Sequence, residues 1–424
     1  MKLALSLSLS LSLPSLAQAQ VGLSVAAPSG TSYPRYVDRV LLESPTWADA
    51  QAAVRAADAE IDVARVVPSA RLSGGIASLD VSGHDAPNAT QVVLSMPIDY
   101  ASQVGHRVDE RIVEHQATIA LADATRRDLS RLAAERFVDA IEASLLHARA
   151  IESADADATL LHAIESRAGV GEATALHVGL ARLAAASGIA RRTEAEGAER
   201  RAQIALSTLL GSVDESLIAV GTLSIPPRAF DADALVEEAL SHRPEVRAAQ
   251  LAEGAAERHR DLASALRWPE LDVQVGWIHS FASLLPSIFN QPEYDAILVG
   301  ATVEIPLRLA WDGDLRAADA GIERASAGLR ARELAVSIEV REALTAYETA
   351  RDRLAAREAV LGQAAELRRA AAQAMSMGAS TVVELLAAQS AARDAEVAYV
   401  SAAAEHARAL AILLARVGRE ENVL

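Results

Sequence analysis

The stretch AILVGATVEIPLRLAWDG, residues 296–313, decides how the chain is read. Ile297, Val299, Ala301, Val303 and Ile305 alternate with Leu298, Gly300, Thr302 and Glu304. That period of two lays one apolar row along one side of a strand. Pro306 stops the strand, because proline has no amide proton for a ladder. Nearly everything around the stretch is alanine-rich and reads as helix. A helical chain that carries a well-formed strand needs a reason for it.

Composition narrows the reasons. Aromatic residues are only 3% of the 424, and Ala, Leu, Arg and Glu dominate, which is the make-up of long packed helices. The formal charge of −17 argues against nucleic acid and anionic membrane faces as partners. There is no cysteine, hence no disulfide framework, no thiolate metal site and no lipid-acceptor cysteine. At the N-terminus, Lys2, the apolar run from Leu3 to Leu13 and the small-x-small site Ala17-Gln18-Ala19 read as an export signal over residues 1–19. The run falls short of the roughly 18 apolar residues a membrane anchor needs.

The chain reads as written twice. Pro68 matches Pro269, Pro97 matches Pro306, Gly171 matches Gly378, and Leu210-Gly211 matches Val417-Gly418, each pair just over two hundred residues apart. Each copy has the order helix, strand, turn, strand, long helix, glycine-marked break, helix. The segments are a periplasmic lead-in at 20–44, a first repeat at 45–211 with its hairpin at about 70–98, and a linker at 212–230. A second repeat follows at 231–418 with its hairpin at about 270–307, then a tail at 419–424. In the first hairpin Thr90, Val92, Leu94, Met96 and Ile98 form one face; in the second, Leu271, Val273, Val275 and Trp277 do. One helix is expected from about 231 to 267. More than sixty proline-free residues follow each hairpin, from about 105 to 168 and 314 to 377, rods on the order of 90 Å. In the second, Val340, Tyr347, Leu354 and Leu361 recur every seven residues beside Leu344, a coiled-coil seam.

Strands of about ten residues can cross a hydrocarbon layer when tilted. Two hairpins cannot do so alone, because their open edges would leave backbone groups unsatisfied in lipid. Four strands per chain are too few to close a barrel, whereas three chains would close one of twelve.

With its two proline-ended lead-in helices, SMPI and VEIPL at the strand ends, AWDGDLR entering the long helix, HRPEVRAAQ (242–250), and the tips GVGEATALHV and MGASTVVELL, the chain resembles the TolC family of outer-membrane efflux channels. The resemblance implies a mainly α fold with a β-barrel portion. Long antiparallel helices form a periplasmic α-barrel, each protomer gives four transmembrane strands to a shared barrel, and the assembly is a homotrimer. It implies a passive exit duct in the outer membrane of a Gram-negative bacterium. The partners would be a periplasmic adaptor (membrane fusion) protein and an inner-membrane transporter of the resistance-nodulation-division type. The cargo would be drugs or metal cations. On the family's pattern Glu384 is the aperture acid nearest the helix tip; a second acid falls here on Ala387, and the equivalent place in the first copy is His177. Gly169, Gly171, Gly378 and Ser380 mark adaptor-docking tips. Trp277, Phe281, Phe289 and Tyr294 mark the membrane interface, where rings with one apolar and one wet end are favoured.

No catalytic, cofactor or metal constellation is expected. GVGEAT lacks the third glycine of a phosphate loop and precedes no βαβ unit. The histidines never form HExxH, His106 and His115 are too far apart for one helical turn, and Asp155 and Asp157 point to different helix faces. Two rivals remain: the exit channel of a type I protein-secretion system, and a periplasmic coiled-coil scaffold whose hairpins never enter lipid.

Overall fold

The computed structural model describes residues 23–26, 30–78, 87–212, 217–281, 293–304 and 312–419. The elements, in order, are β1 (Ser24–Val25), α1 (Tyr33–Glu43), α2 (Pro45–Ala64), β2 (Arg71–Ser78), β3 (Pro87–Ile98), α3 (Gln103–Gly169), α4 (Ala175–Leu209), β4 (Gly221–Thr222), α5 (Ala232–His242), α6 (Pro244–Ala265), β5 (Glu270–Ser280), β6 (Tyr294–Glu304), α7 (Asp312–Ser376) and α8 (Val382–Val417). The succession of two helices, two strands and two helices thus runs through twice. The export signal, Phe289 and Pro306 lie outside the described residues.

One expectation is corrected. The helix expected from 231 to 267 is two, broken at Arg243, which is extended at φ −73° and ψ 127°. Pro244 is the cause, since its ring disfavours helical geometry in the residue before it, and it then opens α6 as a first-turn proline. Ser44, at φ −64° and ψ 124° ahead of Pro45, makes the same break between α1 and α2.

Two compact units form, each drawing on both halves of the chain. The first takes its residues from Met1–Asp49, Ala124–Arg243 and Ala335–Leu424. Its core contains Phe137, Ile141, Leu206, Tyr347, Leu410 and Leu413, all nearly inaccessible. Tyr36 donates to the Leu206 carbonyl at 2.8 Å and packs on Phe137 with ring centroids 5.9 Å apart; burial pushes its phenol well above the ordinary range. Tyr347 both donates to the Arg228 carbonyl and accepts from its amide. In the heptad seam Val340, Leu344 and Tyr347 are buried, while Leu361 is only half-buried, beside Ala364, Ala392 and Ala395. By length and hydropathy α8 could cross a membrane, but its apolar window is half buried in this unit, and Val400, Ala403, Leu410 and Leu413 are fully covered. It is a core helix.

The second unit comprises residues from Ala50–Asp123 and Pro244–Leu334. Its centre is an antiparallel sheet in the order β2-β3-β5-β6, so the two hairpins join through β3 and β5 with Leu94 opposite Val275. Side chains at the start of α3 bind the ends of the neighbouring helices. Arg107 donates to the Ala64 and Val66 carbonyls at 3.1 and 3.0 Å, and the Gln103 amide to the Ala265 carbonyl at 3.2 Å. These contacts satisfy carbonyls that a helix end leaves without partners.

Candidate functional site

In the sheet, register turns three separate sequence stripes into one surface. Leu72 lies opposite Leu94, Leu94 opposite Val275, and Val275 opposite Val299. Flanking rows bring Val92, Trp277 and Ile297 together, and Met96, Val273 and Ala301. Because strand side chains alternate, all of these share one face, and it is uncovered: Leu72 is 71% exposed, Val299 73% and Ile297 78%. The other face carries Arg71, Ser95, Gln274 and Thr302, where Gln274 donates to the Thr302 hydroxyl at 2.7 Å. Gly276 is required there, since a Cβ would lie 2.9 Å from the Val92 carbonyl oxygen. The outer strands β2 and β6 have only one neighbour each among the described residues.

The expected interface rings divide. Trp277 is on the apolar face, stacked on His279 at 5.7 Å, and Phe281 meets His279 edge-on at 4.6 Å. Tyr294 pairs with Ser280, which puts it on the opposite face from Trp277; period-two alternation through Ser280 separates the two rings. Phe289 lies outside the described residues.

In the helical unit, the two helix reversals are built alike. Gly171 and Gly378 adopt φ +80° and +72°, and the next residue's amide bonds five residues back, Glu172 to Arg167 and Ala379 to Ala374, each at 2.8 Å. This left-handed stop suits glycine, which has no Cβ to clash. Gly169 plays no such part; it is the last helical residue of α3. Ile164, Ala181 and Val382 pack into one buried cluster near the two reversals.

The restart differs between copies. Thr381 and Glu384 form a capping box: the Glu384 amide donates to the Thr381 hydroxyl, and the Glu384 carboxylate accepts from the Thr381 amide at 2.8 Å. The Ser380 hydroxyl adds a third bond at 2.8 Å. These bonds, led by the Thr381 amide, hold the Glu384 carboxyl below the usual range. In the first copy Thr174 caps through the His177 amide, but an imidazole at that position returns no such bond. Glu384 is therefore a helix cap and also lines an alanine-rich hollow with Ala370, Ala374 and Ala387.

Sequence reasoning missed the ionic clamps. Asp157 is fully buried, and accepts from Arg393 on α8 at 2.8 Å and Arg191 on α4 at 3.2 Å. Burial pushes its carboxyl up, and Arg393 and then Arg191 pull it back without cancelling that rise. Gly188 leaves room for it, as a Cβ there would sit 3.0 Å from the carboxylate. Arg243, the residue broken out of helix by Pro244, is only 5% exposed and meets Glu339 at 2.7 Å, where Arg416 joins at 2.9 Å. The partners of Asp157 lie 34 and 236 positions away, so no local pattern could signal them. Among the described residues no group of acids and histidines could hold a metal ion.

Comparison with known proteins agrees with this geometry. Residues 235–419 match the family described as outer membrane efflux protein. No curated protein matches the chain in sequence. Solved structures similar in fold include CusC, described in connection with transmembrane channel formation, at 17% identity and TM-score 0.76 over 94% of this chain and 96% of that one. VceC of Vibrio cholerae is 18% identical with TM-score 0.73 over 91% and 96%, and the MtrE outer membrane channel of Neisseria gonorrhoeae 19% identical with TM-score 0.71 over 91% and 89%. Over residues 235–419 the chain matches the outer membrane efflux protein family, and over most of its length it shares the fold of these solved structures.

Proposed function

We propose that the protein is the outer-membrane exit duct of a tripartite efflux pump, working as a homotrimer with a periplasmic adaptor and an inner-membrane transporter. The observation that carries this reading is the sheet: one continuous apolar face, an opposite face of mixed and largely polar character, and two outer strands with one neighbour each among the described residues. An apolar face of this extent, exposed in water, would aggregate. Open edges in lipid would leave amides and carbonyls unpaired. Three copies joined edge to edge, β6 of one against β2 of the next, satisfy both conditions by making a barrel of twelve strands, apolar outside and polar within.

In this reading the repeats at 45–211 and 231–418 are two versions of one unit, residues 1–19 direct export, and Trp277 and Phe281 stand at a lipid boundary. The glycine reversals at Gly171 and Gly378, with Ser380, meet the adaptor. Glu384 combines its capping role with a place at the aperture, where three copies would focus negative potential and favour cations. The duct is passive and its cargo small, whether drug or metal cation. The test is fractionation followed by light scattering of the detergent-extracted protein. A trimer recovered from outer membranes is expected; a monomer in the soluble periplasmic extract would exclude the duct in favour of a scaffold.

A further inference from the structure

We infer that the helical unit carries a binding site for an amphiphilic organic cation. A cavity of about 580 Å³ lies where α3, α4 and α8 meet, within the roughly 300–1,000 Å³ common for small-molecule sites. Its floor is apolar, formed by Leu146 and Ala150 on α3, Ala195 and Ala198 on α4, and Val397 on α8. A partner helix does not fit: with side chains about 10 Å across, it would fill this space in roughly one and a half turns.

The charges select the ligand. Five acids line the cavity, and three are engaged: Asp139 and Glu142 by Arg408 at 2.6 and 3.1 Å, and Glu396 by Arg368 at 3.1 Å. Its arginines are engaged too, Arg149 by Glu152 at 2.6 Å and Arg191 with Arg393 by Asp157. Arg136 also reaches Asp139, at 4.0 Å, which closes the group around Arg408, and the second guanidinium at Asp157 offsets one further carboxylate. That leaves Glu194 on α4 and Asp394 on α8, both exposed and in no ion pair among the described residues, to set the sign of the field. An apolar hollow flanked by two exposed carboxylates, one of them in excess over the neighbouring guanidinium, suits a ligand with a hydrocarbon body and a cationic head. Such a site binds saturably, which passive conduction does not require, and its existence does not depend on the duct.

The experiment is equilibrium dialysis of the full chain in detergent against rhodamine 6G, a lipophilic cation, with A198F in the same detergent as the matched blank. Saturable binding is expected in the wild type, about tenfold weaker in the E194Q/D394N double variant, and absent in A198F, whose ring fills the floor. Wild type that binds no more dye than the blank overturns the proposal. So does an unchanged affinity in E194Q/D394N, which alters only exposed side chains and decides the matter even if A198F does not fold.

Discussion

The helical unit and the four-stranded sheet are both rich in aliphatic side chains and place them oppositely. In the helical unit Ile141, Leu206, Leu410 and Leu413 are closed off inside the chain, and the charged groups of Asp157 and Arg243 are buried with matched partners. In the sheet Leu72, Val275, Ile297 and Val299 are on the outside. The first unit closes a core of its own within one chain, although Leu176, Leu183 and Ile189 stay exposed on its helices. The second has paired its backbone internally and left its apolar face and its edges for something else to cover. In the proposed duct the sheet is the part whose environment lipid and other copies would supply.

Substitutions can break this contrast from either side. The largest loss is expected from Asp157→Ala, which leaves two arginines converging on nothing. About 3 kcal/mol of stability should go, the low end of the range because Arg191 stays 43% exposed. A thermal unfolding midpoint unchanged in D157A would show the clamp to be idle. Next, Val299→Arg should hinder membrane assembly by about 2–4 kcal/mol if the residue lies near the midplane, whereas Ser95→Arg, on the polar face, should be tolerated. Equal trimer yields from the two would mean that the faces are not distinguished by lipid.

A smaller effect comes from pH. His406 is fully buried beside Tyr347, with no hydrogen-bond partner for either ring nitrogen among the described residues, and burial, with Arg351 adding to it, lowers its pKa below 6.5. The unfolded chain therefore takes up a proton that the folded state refuses. Stability is whole above the unfolded value near 6.5 and falls as pH drops below it, by at most about 1.4 kcal/mol per pH unit, until the folded pKa is passed. Unfolding between pH 7 and 5 should show a slope that His406→Leu reduces; identical slopes would refute the assignment. The smallest effect belongs to the caps. Thr381→Ala should cost about 1 kcal/mol and Thr174→Ala less, since only the former dismantles a reciprocal pair. Matching losses in the two variants would deny Glu384 its capping share.

What was legible in the sequence follows the same division. Strand faces were readable because alternation is a local, strict period, and the stripes at 90–98, 271–277 and 297–303 needed only the register to merge. Both glycine reversals were readable from Gly171 and Gly378. Gly169, two residues before Gly171, was not separable from them, because composition does not show which glycine takes the positive φ. The break at Arg243 had its signal in Pro244 and was overridden by the helical pattern on either side. The Asp157 clamp carried no signal at all, since its partners are brought in by helix packing from distant positions. That Glu384 stands in the first turn after the second reversal was legible from the tip motif, but its role as a cap depends on Thr381 hydroxyl geometry.

The most direct test uses the absence of cysteine, which allows clean single-site labelling at two adjacent positions of β6 that share a depth and oppose in face. Val299→Cys and Gly300→Cys, the second in open space, would each carry a fluorophore in reconstituted bilayers containing brominated lipid. The account predicts strong quenching at 299 and little at 300, where a water-soluble quencher should act instead. Probes at both positions quenched only from water would contradict it.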